Sequence, residues 1–224
     1  FKINKILDNY FFKKICIPFL IILFKVFKIE YKYSYDLLLR AKKNLPIFWS
    51  GAEAFTDTEK KKMLSEKLKK RYIKEDSWKV VKNHYKNFMK RAQNKSFINW
   101  MTYVDLKLRL PELLLMRIDK MTMASSLEGR VPFLDYKLVE KMIDLPSNVK
   151  LKDNNLKCIL KICVNDLLPS FLLKRKKQGF GLPLKDWLKE GLGVSEKKLI
   201  ISFANETQLL NSKEIENILE KRPD

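Results

Sequence analysis

The stretch Asp119–Asp135, DKMTMASSLEGRVPFLD, decides the fold, read with a later basic segment that carries two glycines, Lys174–Pro183, KRKKQGFGLP. In the first, a helix runs into Ser125–Ser126 and a Glu-x-Arg-x-Pro-Phe-Leu-Asp segment then turns the chain. Pro111 beside Glu112 predicts the helix start, because proline has no N–H to lose in a first turn and a carboxylate suits the positive end of the dipole. Asp119 has Leu115 and Met116 one turn before it and Thr122 and Met123 one turn after, which places its carboxylate on a mostly apolar face. An ionised Asp taken out of water costs several kcal/mol, roughly, unless a cation or several donors meet it. Arg130 is the planar, bidentate candidate, and Lys120 points about 100° away. Asp119 and Arg130 thus read as an ion pair pinning helix to loop.

Within Leu127–Asp135, Gly129 is expected to supply a φ above zero and Pro132 to hold Val131 extended. Asp135 is placed to cap a helix from Tyr136, whose Leu138, Val139, Met142 and Ile143 share one face. Glu128 and Arg130 then lie on a short, constrained connection between two packed helices, where a rigid scaffold commonly presents reactive groups. In the second segment Lys174, Arg175, Lys176 and Lys177 precede Gly179 and Gly181. Such a loop can close on an anion and strengthen charge interactions by excluding water; the plainer reading is a solvated basic turn before a helix Leu184–Leu188.

Helical signals fill the rest. Tyr35–Lys43 is amphipathic, and Thr56 with Glu59 forms a capping-box pattern for a helix through Leu64. Asp76 is placed to cap Ser77–Ala92, Phe97–Leu108 repeats the helical spacing, and Leu156–Leu168 stops at Pro169. No sustained alternating or β-branched run appears, so the chain reads as mainly α. Ile15–Phe24, ICIPFLIILF, carries no charge but is half the roughly 20 residues a membrane span needs. Burial in a core or interface is the expectation for it, with an interfacial anchor as the alternative. Residues 1–44 form a helical lead-in, and the more polar end from Ser195 to residue 224 reads as a peripheral tail.

The formal charge of +20 and pI near 9.7 invite a nucleic-acid reading. Only eight of the 46 cations are Arg, however, and the lysines are spread over every predicted helix instead of lining one. Recognition of bases and phosphates favours Arg forks interleaved with aromatics, so solvated faces are the expectation and no nucleic-acid partner. Cys16, Cys158, Cys163 and the single His84 make none of the usual zinc or haem ligand sets. The odd cysteine count fits reduced thiols in a cytoplasm, and Cys158 and Cys163 read as small apolar residues of a helix.

SLEGRVPFLD, preceded by Asp119–Met123 and followed by LLPSFLLKRKKQGFGLP, resembles the carboxy-terminal synthetase domain of glutamine-dependent asparagine synthetases. An upstream block, LPIFWSGAEAFTDTEKKKML at Leu45–Leu64, is similar to the middle of that domain in bacterial members. The resemblance implies that 1–224 is the helical carboxy-terminal portion of an α/β adenine-nucleotide-hydrolase-like (PP-loop) synthetase domain. It implies ATP and aspartate as substrates, Mg²⁺ through the pyrophosphate, a glutaminase domain upstream, and a homodimer. By the same resemblance Lys177 stabilises adenylation, and Glu128 positions or accepts a proton from the incoming amine. Arg130 and Asp119 hold Glu128 in place, and Gly179 and Gly181 give the loop its freedom.

Departures accompany the likeness. The Ser-Gly-Gly-x-Asp-Ser pyrophosphate loop and the Ser-Gly-Glu-Gly-x-Asp-Glu motif do not occur in these residues. Residue 1 is Phe and no signal pattern follows it, so the chain is expected to be part of a longer protein. An amidotransferase acting on another carboxylate, such as a sugar acid, shares the same motifs, and a basic helical nucleic-acid-binding module is the reading from a different class.

Overall fold

The computed structural model describes residues 9–27, 29, 33–51, 53–72, 74–152, 155–175, 186 and 191–221. These are mainly helical, with one small antiparallel hairpin in which Leu151–Lys152 (β1) pairs with Asn155–Leu156 (β2). They divide into two compact units, drawn from Phe1–Phe27, Leu37–Ala54 and Ser77–Lys176, and from Lys28–Asp36, Phe55–Asp76 and Lys177–Asp224.

The first unit is built on aromatic packing. Helix α1, Trp78–Arg91, and helix α2, Phe97–Val104, contribute Val81, Phe88, Trp100 and Val104 to a core closed by Trp49. Ring centroids step from Trp49 to Trp78 at 5.6 Å, Trp78 to Tyr85 at 5.8 Å, and Tyr85 to Trp100 edge-on at 5.0 Å. Such pairs add about 0.5–1.5 kcal/mol each beyond the area they bury. The indole Nε1 of Trp100 donates to the Phe48 carbonyl at 2.8 Å, tying the LPIFWSGAEAF segment to this core.

Three readings of the sequence need correction here. Pro111 does not begin a helix: α2 continues through a wide, π-helical stretch, Asp105–Leu115, into α3, Met116–Met123. A proline in an α-helix clashes with the carbonyl four residues back and has no N–H to donate; the wide turn accommodates the ring, and Met116 N–H reaches the Pro111 carbonyl. Leu156–Leu168 is not one helix, since only Cys158–Cys163 is helical there, entered from Lys157 at φ 59°. Ile15–Phe24 is only half covered: it lies in a π-helical turn, Phe12–Cys16, and helix α4, Ile17–Val26, where Ile17 and Ile21 are buried but Ile15, Phe19 and Ile22 are exposed.

In the second unit, helix α5, Asp57–Met63, starts with the full capping box: Glu59 N–H donates to Thr56 Oγ1 and Thr56 N–H to Glu59 Oε2. The residues after Ser195 are helical over Gly191–Thr207 (α6) and Ser212–Lys221 (α7), with Ala204 and Ile215 buried. Ser65 N–H donates to the Leu209 carbonyl at 3.0 Å and Asn211 N–H to that of Met63 at 2.8 Å.

Candidate functional site

The Asp119–Asp135 connector is fixed at both ends by backbone geometry. Helix α3 closes with Leu127 N–H on the Thr122 carbonyl and Ser126 N–H on that of Met123, both at 3.0 Å, while Ser126 takes φ 57°. This is a Schellman ending with serine in the position usually given to glycine. At the other end Asp135 Oδ1 accepts from Lys137 N–H at 3.0 Å and Leu138 N–H at 3.2 Å, capping helix α8, Tyr136–Ile143, as the sequence predicts. The chain between turns through a short 3₁₀ segment, Pro132–Leu134.

Gly129 serves a different purpose from the one its type suggests. Its φ is not positive; instead, an added Cβ would lie 3.1 Å from Ile118 Cγ2, so the residue lets the connector run close over α3. The expected Asp119–Arg130 pair is not formed. Asp119 is exposed and Arg130 Nη2 meets Glu128 Oε2 at 3.0 Å, two residues away. The neighbours meant to desolvate Asp119 are themselves in water, with Met116 and Met123 exposed, so its carboxylate has no burial to offset. Glu128 and Arg130 are likewise exposed, and their pairing adds at most about 1 kcal/mol. Arg130 thus lies against Glu128, while Asp119 does not join them.

Lys177, Gly179 and Gly181 lie outside the described residues, as does the Leu184–Leu188 helix apart from Asp186. Among the described residues no three His, Cys, Asp or Glu side chains gather to hold a metal ion. No described helix is long and apolar enough to cross a membrane.

Behind the connector, the face of α8 opens on an apolar cavity of about 690 Å³, lined by Phe133, Leu134, Leu138, Met142, Cys158 and Leu160 among others. The far end of α8 is tied down by Lys150, whose Nζ donates to the Ile143 carbonyl and to Asn99 Oδ1, each at 2.6 Å. Burial pushes the Lys150 ammonium below its ordinary 10.5, with Asp144 opposing the shift.

A second constellation was invisible to spacing rules. Arg40, 2% exposed, donates to the Ile47 carbonyl at 3.0 Å, pairs with Glu53 and lies 3.8 Å over the Trp49 ring. Asp105 Oδ1 accepts from Ser50 Oγ at 2.9 Å and Gly51 N–H at 2.8 Å, holding Ser50 at a strained φ of 118°. The only sequence signal was that Trp49, Ser50 and Glu53 fall inside the FWSGAEAF block.

Residues 30–224 match the model of the asparagine synthase family. The chain is 34% identical over 150 residues to asparagine synthetase [glutamine-hydrolyzing] 1 of Bacillus subtilis, covering 67% of this chain and 22% of that protein. It is 37% identical over 91 residues to a putative asparagine synthetase [glutamine-hydrolyzing] of Mycobacterium tuberculosis, covering 41% of this chain and 14% of the relative. No solved structure matches. A continuous match over residues 30–224, spanning both the FWSGAEAF block and the SLEGRVPFLD connector, places the chain in the asparagine synthase family.

Proposed function

We propose that this chain supplies the helical carboxy-terminal portion of an ATP-dependent asparagine synthetase whose nucleotide-binding motifs ride on a parallel α/β sheet of the PP-loop kind. The observation that carries the reading is the doubly anchored connector, which holds Glu128 against Arg130 between a Schellman ending and an Asp135 cap. In the proposed reaction the side-chain carboxylate of aspartate attacks the α-phosphate of ATP, forming β-aspartyl-AMP and releasing pyrophosphate. Ammonia from glutamine, delivered by a glutaminase domain, then attacks the acyl carbon and expels AMP. Negative charge grows at phosphorus in the first step and at the tetrahedral carbon in the second. A cation aimed at either lowers the barrier more than it stabilises the ground state.

Lys177 is assigned to the phosphates during adenylation, with Gly179 and Gly181 giving its loop room to close. Glu128, oriented by Arg130, positions the amine and takes its proton, because a carboxylate at hydrogen-bond reach is a competent base for an ammonium-like leaving proton. These residues lack the Ser-Gly-Gly-x-Asp-Ser loop, so the isolated chain is expected to show no aspartate-dependent ATP–pyrophosphate exchange. The deciding experiment grafts residues 45–224 onto the upstream portion of the Bacillus subtilis relative. Exchange that depends on aspartate and falls about 10²–10³-fold with Lys177→Ala supports the assignment. Exchange driven by a sugar acid but not by aspartate would move the substrate to another carboxylate.

A further inference from the structure

We propose that helix α4, with its lead-in turn, is a docking face for an anionic lipid surface, an inference that stands apart from the synthetase reading. The family match begins after it, at residue 30. One side of the helix is fixed in the first unit by Ile17 and Ile21, which are 0% and 6% exposed. On the opposite side Ile15, Phe19, Ile22 and Val26 are more than half exposed, and their spacing of four, three and four residues lays them along one stripe. Tyr10 and Phe11 extend the exposed apolar surface at one end and Phe27 at the other.

Charge selects the occupant. From Asn9 to Ile29 every charged residue is a lysine, with Lys13 and Lys14 at one end of the stripe and Lys25 at the other. A second copy seated on the stripe would bring these lysines toward its own, and no acid lies between Asp8 and Glu30 to answer them. Phosphate or carboxylate headgroups answer them directly, while the apolar stripe and the aromatic residues at its ends enter the interface. The helix is ten residues long, about 15 Å at 1.5 Å per residue, half the thickness of a hydrocarbon core, so it lies along the surface and does not cross it.

The test is co-sedimentation of the whole 224-residue chain with phosphatidylcholine vesicles, with and without phosphatidylserine, at near-physiological salt. Each lysine near an anionic surface contributes about a factor of five, so serine lipid is expected to raise partitioning at least tenfold, roughly. Phe19→Asp with Ile22→Asp should abolish it, and Lys14→Gln with Lys25→Gln should remove most of the anionic preference without touching the stripe. Met121→Asp, on a separate patch where Met121 is 75% exposed, should leave it unchanged. Equal binding to neutral vesicles, or equal loss with Met121→Asp, would overturn the proposal. So would the absence of vesicle binding, including the case where ultracentrifugation finds a dimer that Phe19→Asp dissociates, which would give the stripe to a second copy.

Discussion

Arg40→Met is the substitution that probes the FWSGAEAF segment most directly. The guanidinium is buried, hydrogen-bonds the Ile47 carbonyl, pairs with Glu53, and lies 3.8 Å over Trp49. Methionine keeps much of the aliphatic stem, so the loss isolates the charged fork from the packing beneath it. Removing Arg40 takes the guanidinium from Glu53, whose side chain is 13% exposed and keeps its charge in a largely enclosed place. The expected cost is about 3–5 kcal/mol. With a urea slope of about 2 kcal/mol per molar, the unfolding midpoint should fall by roughly 2 M. Tryptophan fluorescence reports the transition in both proteins, since Trp49 and Trp100 leave a buried core on unfolding. The double substitution Arg40→Met, Glu53→Leu should recover most of the loss, because the carboxylate is removed together with the cation it faced. A single-variant loss below about 1 kcal/mol, or a double variant no more stable than the single, refutes the reasoning.

The remaining expectations concern the connector and its supports. Asp135→Ala removes the acceptor for Lys137 and Leu138 N–H and should cost about 1 kcal/mol, with faster amide exchange confined to the first turn of α8. Ser126→Gly relieves a left-handed serine and should raise stability by about 0.5–1 kcal/mol, read as a higher urea midpoint. Lys150, lowered below 10.5 by burial, binds its proton less tightly folded than unfolded. Stability should therefore rise as pH climbs from the lowered value toward 10.5, a rise that Lys150→Met lacks when the two urea midpoints are compared. Glu128→Gln should change stability by less than about 0.5 kcal/mol, since the pair it breaks is exposed, yet lower asparagine formation in the grafted enzyme.

What the sequence revealed was local. Thr56 with Glu59, and Asp135 before Tyr136, were legible because a cap needs only a side chain and an N–H two or three residues on. Pro111 was misread because the same residue fits a first turn or a widened interior turn, and only the packing on either side of it decides. Periodicity put Asp119 on an apolar stripe correctly, but it could not show that Met116 and Met123 on that stripe stay in water. The clustering of Arg40 with Trp49 and Glu53, and of Asp105 with Ser50, joins residues at separations with no helical or strand period. Such contacts belong to the tertiary fold, and no local pattern encodes them.

The connector separates two demands that the role proposed for Glu128 makes. Its position comes from the backbone: the Schellman ending, the close pass of Gly129 over Ile118 and the Asp135 cap involve no charge of Glu128 or Arg130. Its strength must come from elsewhere, because two unit charges at 4 Å interact by only about 1 kcal/mol in water and about 4 kcal/mol near a partly shielded surface. With both side chains exposed, Glu128 and Arg130 sit near the weak end of that range. A substrate or covering segment that expels water would raise every interaction of the pair without moving it. Salt should therefore weaken the exposed pair in the isolated chain, but leave Glu128-dependent turnover in the grafted enzyme little changed once substrate is bound, because screening acts on solvated charges and far less on enclosed ones. Turnover that falls with salt as steeply as the free pair's interaction would mean that Glu128 works in open water, and the proposed role in amine activation would fail.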